Sequence, residues 1–185
     1  SSVAIPFGDD LKGDLYLPEP RPAGKLPVVI WLHPYAYATG YSRYAAPTIQ
    51  MLTGRGYAVF AFDAIGFGTR IAQATRFYER YPKWSLLGKM VDDVSASIDA
   101  LAAIEELDAS RIWLAGWSLG GKVALWTAAL DARVAGVLAA SGFTPLRTAP
   151  AETEGLEHYT GIHRLLPRLA QFRGRPAAIP VDYDE

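Results

Sequence analysis

Cysteine is absent from the 185 residues, which excludes disulfides, thiolate metal sites and a cysteine nucleophile together. An excess of charge is missing too, since 18 Lys and Arg stand against 19 Asp and Glu for a formal net charge of -1. A chain so balanced has no basic stripe with which to release counterions, so neither nucleic acid nor an anionic membrane is an expected partner. No apolar run reaches the roughly 18 residues that a membrane-spanning helix needs. Histidine is scarce, and the three present have no ligand spacing such as H-x-x-x-H, so no metal or organic cofactor is implied. Internal repeats and low-complexity tracts are lacking. The sequence opens Ser1-Ser2-Val3 without an initiator methionine and stops at Val181-Asp182-Tyr183-Asp184-Glu185 without a closing helix. It therefore reads as cut at both ends, with any signal peptide lying upstream.

What is present has the make-up of one globular domain, half hydrophobic and one fifth charged. Short strands are expected at Val3–Phe7 and Leu11–Leu17, before a proline-rich loop from Pro18 to Pro27. Val28-Val29-Ile30-Trp31-Leu32 is a continuous apolar run, the mark of a strand buried on both faces. A short helix follows at Pro47–Thr53, with Pro47 in its first turn, then a second buried strand at Tyr57–Phe62. A long helix is expected from Leu86 to Glu106 behind the N-cap Ser85, with Leu87, Met90, Val91, Val94, Ile98 and Leu101 on one face. A strand at Arg111–Ala115, a helix at Leu119–Leu130 and a strand at Val134–Ala139 complete the alternation. The expected fold is α/β: a mostly parallel sheet with helices on both faces, lacking its carboxy-terminal strands. Residues 1–185 read as a single incomplete domain, with 143–178 as a cap or surface insertion.

Gly116-Trp117-Ser118-Leu119-Gly120-Gly121 fits G-x-S-x-G and lies between an apolar strand and a helix. A glycine-rich turn that merely packs a helix on a strand would use similar letters. The flanking elements favour a nucleophile, because a serine at such a turn must hold a strained backbone that lifts its hydroxyl clear of the sheet. The helix behind it aims free N–H groups and a positive dipole end at the place where an oxyanion would form. Ser118 is the expected nucleophile. Its oxyanion donors are expected to be the backbone N–H groups of Leu119 and, after the first buried strand, of Tyr35, since Pro34 has none to give. His33 is expected to brace this loop rather than to carry a proton. Asp63 reads as a turn residue, with a role at the pocket rim left open. Gly66-Phe67-Gly68 fails as a dinucleotide fingerprint, because Ile71 occupies the third glycine position.

On these residues the chain resembles the α/β-hydrolase superfamily over nearly its whole length. The segments Phe77–Met90 and Gly161–Pro167 are similar to bacterial acetyl-xylan-esterase-like and dienelactone-hydrolase-related proteins. The resemblance implies a bacterial serine esterase acting on a small-molecule or carbohydrate ester. A carbohydrate substrate would suit an extracytoplasmic enzyme, and the crowd of Tyr35, Tyr37, Tyr41 and Tyr44 would suit sugar stacking. A serine peptidase of related fold and a catalytically silent binding module remain alternatives.

The mechanism also needs a base and an orienting carboxylate, which in this fold follow the serine on loops after later strands. Only one clear strand follows Ser118, so acid and base are expected in a remaining part of the same polypeptide. The competing expectation draws on His158 or His163, with Glu152, Glu154 and Glu157 as nearby carboxylates.

Overall fold

The computed structural model describes residues 1–147, 155–161 and 164–180. Its strands are β1 (Ser2–Phe7), β2 (Leu11–Tyr16), β3 (Leu26–Leu32), β4 (Ala58–Ala61), β5 (Leu107–Trp117) and β6 (Val134–Ala140). Its helices are α1 (Ser42–Thr53), α2 (Phe77–Arg80), α3 (Leu86–Ala102), α4 (Leu119–Leu130) and α5 (Leu156–Thr160). The strands form one sheet in the order β1-β2-β4-β3-β5-β6. The β1–β2 and β2–β4 pairings are antiparallel, and the remaining three are parallel.

Alternation along the strands explains why their apolar runs are unbroken. Val29, Trp31, Val59, Ala61 and Ala115 face one side, where α1 contributes Ala45 and Ile49 to the core. Their neighbours Leu32 and Phe62 face the other side, where Met90 and Val94 of α3 and Val123 of α4 close over them. Helices thus cover both faces, as the sequence predicts.

Three boundaries differ from expectation by four residues or more. α1 starts at Ser42, so Pro47 lies inside the helix rather than in its first turn. The preference of proline for a helix start is real, but here the better helix formers upstream of it extend the element. α3 ends at Ala102 rather than Glu106, because the next residues are drawn into the sheet: Leu26 N–H donates to Glu106 C=O at 2.9 Å. β5 is longer than Arg111–Ala115, beginning at Leu107 opposite Leu26 and resuming at Ile112 opposite Val28 after a register shift.

The chain divides into two compact units. The first holds Ser1–Thr75 with Met90–Gly142, and so the entire sheet; the second joins Arg76–Lys89 to Phe143–Glu185. In the second unit the segment after residue 143 thus has a companion, residues 76–89, that comes from far upstream in the chain. Leu87 N–H donates to Leu165 C=O at 3.2 Å, and Leu166 N–H to Tyr159 C=O at 2.9 Å. Phe77, Leu87, Tyr159 and Leu165 are buried.

Candidate active site

Ser118 joins β5 to α4 with φ 53° and ψ −113°, a conformation that costs an L-residue on the order of 1–3 kcal/mol. Neighbouring backbone holds it there. Its N–H donates to Ala140 C=O of β6 at 2.8 Å, and its own C=O accepts from Lys122 N–H at 3.1 Å to open the helix. The surrounding glycines are required by close approach. A Cβ on Gly116 would lie 2.2 Å from Gly120 O, and one on Gly120 only 2.0 Å from Leu32 O. Gly142, which the sequence reading passed over, belongs to the same knot: its Cβ would fall 2.5 Å from the Gly121 backbone. The first turn of α4 is thereby pressed against the end of β3, where the predicted oxyanion loop begins. Leu119 is the first residue of α4 and is buried. The N–H groups of this first turn have no partner within the helix.

His33 is buried and uses both ring nitrogens. Nδ1–H donates to Pro34 C=O at 2.6 Å, and Nε2 accepts from Ala64 N–H at 3.0 Å. The Ala64 donor fixes this neutral tautomer, and burial pushes the imidazole below its usual pKa. This is a brace between the loops after β3 and β4, as expected, and it leaves no nitrogen for proton transfer.

Asp63 is the second brace. Its Oδ1 accepts from Tyr41 N–H at 2.9 Å, and its Oδ2 accepts from both the N–H and the hydroxyl of Thr69 at 2.8 Å. Gly40 (φ 57°) and Gly68 (φ 51°) wrap so closely that a Cβ on either would collide with the carboxylate. These contacts account for Asp63 as a turn residue. Arg70 extends the clasp inward, donating from Nη1 to Asp63 C=O at 3.0 Å and to Asp93 Oδ2 of α3 at 2.8 Å. The Asp63 contacts span 6 and 22 residues of sequence, so the only local signal was an aspartate followed by a G-x-G turn.

Tyr35 is half-buried, with its ring 5.8 Å from that of Phe67. Tyr37, 61% exposed, also approaches Phe67, at 6.3 Å. The other two tyrosines of the crowd are committed elsewhere. Tyr41 donates its hydroxyl to Asp14 and meets Tyr16 Oη at 3.0 Å, and burial first and Asp14 second push its pKa up. Tyr44 packs edge-on against Trp117 at 5.2 Å.

Of the candidate acids and bases inside the chain, His163, Glu152 and Glu154 lie outside the described residues. Half-buried His158 stands edge-on to Tyr159 at 6.0 Å in α5, and Glu157 pairs with Arg173 at 3.0 Å. Among the described residues there is no group of His, Asp and Glu that could hold a metal ion, and no helix long and apolar enough to cross a membrane.

On the α1 side of β5 and β6 lies an apolar groove of about 620 Å³, lined by Trp31, Met51, Trp113, Trp117 and Leu138 among others. The Trp113 ring lies over Gly136, where a Cβ would come within 2.3 Å of it. Leu138 is 69% exposed, and among the described residues β6 pairs only with β5.

The sequence matches the alpha/beta hydrolase family over residues 29–184. Hydrolase LUC6 of Fusarium sp is 38% identical over 145 residues, a match covering 76% of this chain and 33% of LUC6. The 20-hydroxy-prefusarin hydrolase FUS2 of Gibberella moniliformis is 34% identical over 148 residues, with the same two coverages. Among solved structures, a CE15 glucuronoyl esterase from Teredinibacter turnerae superposes with a TM-score of 0.69 at 19% identity, covering 98% of this chain and 51% of that one. A glucuronoyl esterase from Solibacter usitatus gives 0.68 at 18% identity, covering 98% and 58%. The chain thus spans about a third of the length of these sequence relatives and about half that of the solved structures.

Proposed function

The chain belongs to the α/β-hydrolase family, and from that premise we propose that it carries the nucleophile half of a serine-dependent carboxylic ester hydrolase. The observation that carries this reading is the positive φ of Ser118 at the junction of β5 and α4, held by backbone contacts that admit only glycine at 116 and 120. Strain of this kind is retained where the residue has work other than stability to do. In the proposed reaction Ser118 Oγ attacks the ester carbonyl as a base takes its proton. The N–H groups of Leu119 and Tyr35 receive the tetrahedral oxyanion, each donor worth roughly 3 kcal/mol of barrier. The alcohol leaves, and water then releases the acid from the acyl-enzyme. His33 and Asp63 touch no reacting atom in this scheme; they fix the loop that presents Tyr35.

The general base and its orienting carboxylate are assigned to polypeptide outside these 185 residues. Supporting this are the greater length of the relatives and the edge of β6 that is left unpaired among the described residues, whose apolar flank is of the kind that a parallel sheet ordinarily keeps covered. For the substrate, a carbohydrate ester is the preferred class. Among the loop tyrosines the support for this rests on Tyr37, which is 61% exposed, while the Tyr41 hydroxyl is held by Asp14.

The test is 4-nitrophenyl acetate hydrolysis by the longest available form of the protein, with Ser118→Ala beside it. A loss of at least 1,000-fold on substitution is expected. Turnover equal to the parent's in the Ser118→Ala protein would sink the reading. Turnover by the 185-residue chain itself would keep Ser118 but move the base inside it, to His158 or His163.

A further inference from the structure

In the second unit both described glutamates are paired, Glu79 with Arg76 and Glu157 with Arg173. Within this unit lies a concave pocket of about 260 Å³. Trp84, Leu166, Pro167 and Leu169 form its apolar lining, and Lys83 and Arg168 stand with them.

Two features of the pocket point to a ligand. Trp84 is 46% exposed, so a large, flat apolar surface is left in contact with water. Neither Lys83 nor Arg168 pairs with a carboxylate among the described residues, and Arg168 is anchored by donating from Nη2 to Pro82 C=O at 3.2 Å. The field is strengthened by the first turn of the 17-residue α3, which begins beside the pocket. Its N–H groups are already used, however, Gly88 donating to Ser85 Oγ and Leu86 to Tyr78 Oη.

Those features select among ligands. An inorganic anion would satisfy the cations and leave the indole and the three apolar side chains without a role. A neutral sugar would cover the indole and leave the cations unanswered. A pyranose bearing an acidic group meets both demands, because its C–H face lies flat on an aromatic ring while its charge projects from the rim. We propose that this pocket binds an anionic sugar, stacked on Trp84 with its acidic group met by Lys83 and Arg168. The site is independent of the esterase chemistry and is read by binding alone.

The experiment follows the tryptophan indole N–H signals of the ¹⁵N-labelled chain by NMR during titration with sodium D-glucuronate. D-glucose, sodium acetate and sodium benzoate serve as comparisons at constant ionic strength. The Trp84 signal is identified by its loss in Trp84→Phe. A saturable shift of that signal with glucuronate is expected, at an affinity at least tenfold above those for glucose and acetate. Lys83→Ser and Arg168→Ser are each expected to weaken it three- to tenfold. Both side chains are exposed, so these variants fold. Equal affinity for glucose would overturn the role of charge, and equal affinity for benzoate would overturn the assignment to sugars. A Trp84 signal that glucuronate leaves unmoved would overturn the site.

Discussion

The two units solve the problem of holding a chain in place by different means. In the first, backbone approaches backbone so closely that Gly116, Gly120 and Gly142 have no substitute, and the ion pair between Arg70 and Asp93 is buried, at 9% and 1% side-chain exposure. In the second, helices of four and five residues are tied by long side chains. Arg80 lies over Tyr81, Arg164 lies over Tyr78, and Arg173 reaches Glu157 with both partners about half exposed. The first arrangement tolerates almost no change and suits a site whose atoms must stay put. The second surrounds its buried Phe77, Leu87, Tyr159 and Leu165 with pairs that water weakens, so single substitutions among those surface pairs are cheap and the surface can be re-lettered for a new ligand.

The sharpest break in that contrast is expected at the buried pair. Arg70→Met takes the guanidinium away from the buried Asp93 carboxylate and removes the anchor of the loop after β4, for a loss of about 3–5 kcal/mol in urea unfolding. Next comes Gly120→Ala, whose methyl group meets the Leu32 carbonyl; about 3 kcal/mol is expected. Gly174→Ala in the second unit meets no atom within 4 Å, and its φ of 79° alone should cost about 1 kcal/mol. Equal losses at the two glycines would erase the distinction between close approach and mere backbone preference.

A pH series sharpens it further. Burial lowers the His33 pKa, so the unfolded chain binds the proton more readily than the folded one. The stability that depends on neutral His33 is complete above the ordinary value of 6.5 and is lost as pH falls through the lower folded value. Melting temperatures between pH 7 and pH 5 should fall more steeply for the parent than for His33→Gln. Glu157→Ala is expected to have the smallest effect, within about 0.5 kcal/mol, because its pair with Arg173 is solvated.

Legibility in the sequence followed the same division. The parallel sheet could be read because doubly buried strands leave unbroken apolar runs, and α4 was bounded correctly because the elbow before it has a strong local signature. α1 was started too late because Pro47 resembles a helix start, and the polar stretch Asp108-Ala109-Ser110 hid the first half of β5. The bracing role of His33 was legible. The partners of Asp63 were not, because hydrogen bonds that cross 22 residues leave no periodicity. In the second unit, elements of four or five residues are too short to show a period.

The backbone of Ser118 has a consequence for how this chain trades robustness against chemistry. At φ 53° glycine is at ease and serine is not, so the residue that stability alone would select is not the one found. Ser118→Gly should therefore raise the melting temperature while deleting the hydroxyl on which the proposed hydrolysis turns. A gain in heat resistance from that substitution would measure what the fold gives up to keep an oxygen atom at this position.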